Sequence, residues 1–158
     1  MKFKIEQIAL YPASLTRAMR LLKAIGLEEW SLDHVVAQGR VFGMPRENEA
    51  DLAFNYQAAG DKPLELEILR YTKGDNWMAH RPSHDVSHIG MHVTAAELVA
   101  WRALLASEGI VVAQEVITQS HINPVIKDSR RYNYVIFDTF SLLGVDLKFI
   151  VRIDLPKA

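Results

Sequence analysis

Polar and apolar residues alternate along eight stretches of the chain, and two further stretches follow the spacing of an amphipathic helix. KIEQIAL (4–10) alternates and predicts a strand. Leu15, Ala18, Leu22 and Ile25 then recur at helical spacing, with Ser14 suited to cap the start and Gly26 to end the helix in a left-handed turn. Three strand-like stretches follow: EWSLDHVVAQGRVF (29–42), DLAFNY (51–56) and PLELEIL (63–69). ENEA (47–50) and AAGDKP (58–63) read as the polar breaks between them. From residue 86 the order starts again. VSHIGMHV alternates, and TAAELVAWRALLASEG is a helix opened by a Thr94–Glu97 capping box and closed by Gly109, with Leu98, Trp101 and Leu105 on its apolar face. IVVAQEVIT, YNYVIFDT and GVDLKFIVRI supply three more strands.

The two halves share a register as well as an order. Aligning EQIAL with SHIGM sets Gln7 against His88, an offset of 81, and aligning LELEIL with VDLKFI sets Glu67 against Lys148 at the same 81. The helix-ending glycines, Gly26 and Gly109, differ by 83, which a small difference in loop length explains. Two strand–helix–three-strand units, about 3–71 and 86–152, are expected within one domain spanning 1–158.

Histidines at 80, 84, 88 and 92 carry the spacing that lines one face of a helix and can hold zinc. Pro82 breaks any helix running through the first two, and the alternation from Val86 onward is that of a strand. His88 and His92 therefore share a strand face with Val86 and Gly90, and the helical stripe is an accident of spacing.

Composition narrows the function classes. With 158 residues, 49% of them hydrophobic and 23% charged, the chain can bury a full core. A net charge of -1 gives no basis for general nucleic-acid binding. The absence of cysteine removes disulfides and thiolate zinc sites and fits a reducing cytoplasm. No apolar run approaches the roughly 20 residues of a membrane span, and no signal-peptide pattern opens the chain. A cytoplasmic protein with neither nucleic-acid nor membrane partner is expected. GxSxG, Walker, GxGxxG and CxxC motifs are all missing, so nucleophilic and nucleotide-dependent chemistry have no support.

A duplicated strand–helix–three-strand unit resembles the vicinal oxygen chelate superfamily, which includes glyoxalase I, the bleomycin-resistance proteins and extradiol dioxygenases. The resemblance covers about residues 3–153 and rests on Gln7 in EQIAL, Glu67 in LELEIL, His88 in SHIGM and the order of elements. It implies an α+β fold: tandem βαβββ units curl a mixed sheet into a barrel around a cavity, with the helices outside. It also implies divalent-metal ligands at Gln7, Glu67 and His88, with the fourth ligand position falling on Lys148, a departure from the family's carboxylate. Units of this kind often pair between chains, which implies a homodimer; open sheet edges favour the same pairing.

Alternation places Gln7 and Ala9, Glu65 and Glu67, and Asp146 and Lys148 on faces that would look inward together in a curved sheet. Small residues at Ala9 and Gly90 leave room there. Asp146 joins Gln7, Glu67, His88 and Lys148 as a cavity candidate, and Glu67 and His92 are the candidates for moving protons. Trp30 and the basic stretch SHINPVIKDSRRYNY (120–134) are expected at the cavity rim. Two readings stay open. One is a small-molecule-binding protein of glyoxalase or bleomycin-resistance type, without metal or with a degenerate site for Zn, Ni, Mn or Fe, in which Lys148 pairs with Glu67. The other is a metal-dependent lyase, isomerase or dioxygenase.

Overall fold

A computed structural model describes residues 1–81 and 86–156 of the chain. Pro82 and His84 lie outside the described residues. The elements run β1 (Gln7–Leu10), α1 (Leu15–Ala24), β2 (Ser31–Val41), β3 (Met44–Asn55) and β4 (Glu65–Gly74), then one 3-10 turn at Trp77–His80. The second half runs β5 (Val86–His92), α2 (Ala95–Ser107), β6 (Val112–Ser120), β7 (Arg130–Phe137), α3 (Phe140–Leu143) and β8 (Asp146–Asp154). The strands close into a single mixed barrel in the order β1-β4-β3-β2-β6-β7-β8-β5. His88 and His92 sit on a strand, as the alternation predicts, while His80 belongs to the 3-10 turn and bonds Asp75 at 3.0 Å.

Both halves pair their strands alike. β1 is parallel to β4 and β5 is parallel to β8, with Ala9 opposite Glu67 and Gly90 opposite Lys148. β1 and β5 then run antiparallel, so that Gln7 faces Gly90 and Ala9 faces His88. Because of that antiparallel join, corresponding residues of the two halves travel toward opposite ends of the barrel. This matters for the site.

One expected break is misplaced. ENEA lies within β3, and the reversal occurs directly after β2, at Phe42 (φ 43) and Gly43 (φ 79). Two successive positive φ values match the tight hairpin turn whose twist suits the flanking strands. The ENEA residues are polar for a different reason: Asn48 and Ala50 are buried, while Glu47 meets Gln38 and Glu49 meets Lys73 on the outside.

The hydrophobic core has two parts. Val35, Leu52, Leu69, Trp77 and Ile136 cluster in the barrel, and Trp101 and Leu105 of α2 pack with Phe137 and Phe149 against the outside of the second half. Thr94 and Glu97 form the expected capping box of α2. Helix α1 is capped by Ser14 as expected, yet buries no residue fully. No helix among the described residues is long and apolar enough to cross a membrane.

Candidate functional site

Inward-facing positions of β1, β4, β5 and β8 deliver Gln7, Glu67, His88 and Lys148 to one point, each at most 2% exposed. His88 Nε2 lies 2.8 Å from Gln7 Oε1 and 3.0 Å from Glu67 Oε2, and Lys148 Nζ donates to that same glutamate oxygen at 3.1 Å. Gly90 makes the packing possible, since a Cβ there would stand 3.1 Å from Gln7 Oε1. The ammonium of Lys148 also sits 4.0 Å over the ring of Tyr134, so one side of it is met by π electrons and the other by a carboxylate.

Burial alone would raise the pKa of Glu67, but the adjacent Lys148 charge and the hydrogen bond from His88 outweigh it and hold it at about 2. His88 is pushed down to about 4 by burial and by Lys148. Near neutrality the pair is therefore a charged glutamate beside a neutral imidazole. Both neighbours of Nε2 are acceptors, so Nε2 carries the proton, and Nδ1 accepts from Ser87 Oγ at 2.8 Å.

The network continues outward. The Gln7 amide nitrogen donates to Glu65, whose carboxyl is also bonded by Tyr56. Burial and the neighbouring Glu67 charge raise Glu65, while these two donors oppose the rise. Gln7, Tyr56 and Glu65 line an open mouth of about 280 Å³ together with Tyr132, Tyr134 and Arg130. Behind them the barrel interior holds a cavity of only about 20 Å³, room for roughly one water. The barrel interior itself has no room for more than that.

The other expected site residues are placed as follows. Asp146 is buried but faces the opposite end, where its carboxylate accepts from Trp77 Nε1 at 3.0 Å, Arg81 Nε at 2.8 Å and the Thr139 amide at 3.0 Å. It closes that end around Trp77 instead of serving the quartet. The antiparallel join is the reason: Asp146 is the counterpart of Glu65, and the two point to opposite ends. His92 stands at the rim of the mouth, half-exposed, against Glu6 at 3.2 Å. The loop at 120–134 does border the mouth, through Asn123, Val125, Ile126, Arg130, Tyr132 and Tyr134, and buried Asp33 holds it by accepting from Ser120 Oγ at 2.7 Å. Trp30 does not border it; its indole donates to Leu27 O at 2.7 Å. Sequence reasoning gave Tyr56, Tyr134 and Asp33 no role. The alternation YNYVIF could have put Tyr134 on the inner face; nothing local marks Tyr56.

Three donors converge as in a metal triad, but the fourth group does not fit. At about 4 Å and an effective dielectric of about 20, a divalent ion beside the Lys148 ammonium meets about 8 kcal/mol of repulsion. The His88 proton also occupies the point where Gln7 and Glu67 converge. Among the described residues no three His, Cys, Asp or Glu side chains are grouped to hold a metal ion. With Lys148 protonated, the quartet does not suit a divalent cation.

No family model matches the chain, and no curated protein matches it. Solved structures do. A hypothetical protein from Bacillus halodurans C-125 shares 12% identity over 98% of both chains, with a TM-score of 0.52. A single-residue variant of methylmalonyl-CoA epimerase from Streptomyces coelicolor, in complex with 2-nitronate-propionyl-CoA, shares 13% over 94% of this chain and 96% of that one, at 0.51. A mutant 4-hydroxymandelate synthase from the same organism shares 10% over 96% of this chain and 49% of its own length, at 0.50. These likenesses span nearly all of the present chain, and the chain has the vicinal oxygen chelate fold.

Proposed function

We propose that this protein binds a small molecule at the open mouth of the barrel and does so without a resident metal, in the manner of the non-catalytic members of the glyoxalase and bleomycin-resistance group. The observation that carries the reading is the Lys148–Glu67 contact of 3.1 Å, with both side chains at most 3% exposed. A buried carboxylate needs a partner, and here an ammonium fills the role that a cation would otherwise take. A second reading, a metal-dependent lyase, isomerase or dioxygenase, draws on one observation: Gln7 Oε1 and Glu67 Oε2 both lie within 3.0 Å of His88 Nε2. In that case the three side chains would hold the ion, which would polarise a substrate oxygen. A cytoplasmic location and a homodimer belong to the same proposal.

Metal analysis of protein purified without a nickel column separates the readings, followed by titration with Zn, Ni and Mn. The expected result is little stoichiometric metal in the wild type and increased divalent affinity in Lys148→Glu, which exchanges a repelling charge for an anionic oxygen. One tightly held ion per wild-type chain, lost in Glu67→Ala and His88→Ala, would establish the metal enzyme instead.

A further inference from the structure

Taking the mouth as the binding surface of the proposed small-molecule site, we infer that it receives a small flat aromatic acid, with the anionic group on Arg130 and a neutral hydrogen-bond donor turned inward to Glu65. The walls set the shape. Phe54, Tyr56 and the stacked pair Tyr132 and Tyr134 (centroids 5.9 Å apart, planes 16° apart) surround a space of about 280 Å³. That space lies just below the size of pockets for drug-sized ligands, about 300–1,000 Å³, and so suits a molecule of roughly one ring.

The charges set the direction. At the inner end, Glu65 presents a carboxyl that Gln7 and Tyr56 hold in place. A second anion is repelled there, whereas an N–H or O–H donor is accepted. At the outer end, among the described residues the Arg130 guanidinium bonds only neutral hydroxyls, Ser129 Oγ at 3.3 Å and Tyr132 at 3.5 Å. Its cross-strand neighbour Asp154 is bonded by Arg152 at 2.7 Å, and among the described residues no carboxylate forms an ion pair with Arg130. The other basic groups near the mouth are matched: Lys148 by Glu67, and His92 by Glu6. Among the described residues that line the mouth, Arg130 is thus the cation left for a ligand, and its forked donors suit a carboxylate.

Four one-ring probes test this by calorimetry or ligand-detected NMR on the full chain. They are 4-aminobenzoate (donor and anion), benzoate (anion alone), aniline (donor alone) and benzylamine (cation). The expected order places 4-aminobenzoate first. Arg130→Gln should weaken it about tenfold, Arg130→Lys much less, and aniline should change by no more than about twofold in either variant. Arg130 begins a strand and is only partly buried, so both variants are expected to fold, which thermal melts check. Benzylamine binding ahead of 4-aminobenzoate, or Arg130→Gln leaving 4-aminobenzoate unchanged, overturns the aromatic-acid assignment while the small-molecule site stands. Failure of all four probes overturns both.

Discussion

Lys148 is the residue on which most of the chemistry turns, because its ammonium decides whether Glu67 is a partner or a ligand. Removing it while keeping Glu67 leaves a buried carboxylate bonded, among the described residues, by the neutral His88. Lys148→Met is expected to lose about 3–5 kcal/mol of stability in urea unfolding. The double variant Lys148→Met with Glu67→Gln should recover much of that loss, since no charge is then left buried. If the single and double variants lose equal amounts, the ion pair is not what the barrel interior depends on. Glu65 shows why a residue can be visible in a strand pattern and still go unassigned. Alternation puts it on the same face as Glu67, but its partner Tyr56 arrives from the loop after β3, and no local rule joins the two.

At the scale of elements, the eight strands and the two long helices followed from periodicity, while the short helix α3 and the 3-10 turn at Trp77–His80 did not. The capping box of α2 predicts that Thr94→Ala costs about 1 kcal/mol. The misread turn at ENEA shows where periodicity misleads: polar outward-facing residues in a half-exposed strand resemble a loop until the partner strand is known. Gly39 is a similar case. Its φ lies outside the left-handed region, but a Cβ there would stand 2.0 Å from the carbonyl oxygen of Glu115 in the neighbouring β6. Gly39→Ala is therefore expected to cost about 2–3 kcal/mol by forcing β2 and β6 apart. Chemical denaturation of this variant alongside the wild type checks the loss.

For the whole molecule, the buried quartet ties stability to pH. His88 and Glu67 are both held below their ordinary values of 6.5 and 4.5, so the unfolded chain takes up protons first as pH falls. The contribution of His88 is complete above about pH 6.5 and is lost as pH drops through about 4; that of Glu67 is complete above 4.5 and is lost through about 2. Glu65, raised, works in the opposite sense: its contribution is present at low pH and fades as pH rises through its folded value. The expected outcome is a urea midpoint that falls steadily below pH 6.5, with the upper part of the fall removed in His88→Gln. Assembly is likewise a matter for the whole fold. The homodimer expected from open sheet edges cannot form through them, because every strand of the closed barrel has neighbours on both sides. We propose that the dimer, if the chain forms one, uses faces such as α1, where Leu21 and Ile25 are exposed. Sedimentation of the wild type against Leu21→Glu tests that route: a dimer that becomes monomeric is the expected result.

Alternation and a shared offset of 81, together with the resemblance to the vicinal oxygen chelate superfamily, brought Gln7, Glu67, His88 and Lys148 into one expectation; a period of two fixes which side chains share a sheet face. The same offset made Asp146 look equivalent to Glu65, and there the sequence had no means of separating them. Strand pairing did. With β1 and β5 antiparallel, the two acids were carried to opposite ends of the barrel, where Trp77 and Arg81 covered one and the other was left beside the open mouth. Which end is open depends on how Trp77 and Arg81 pack against strands far away in the chain, and that choice belongs to tertiary packing alone.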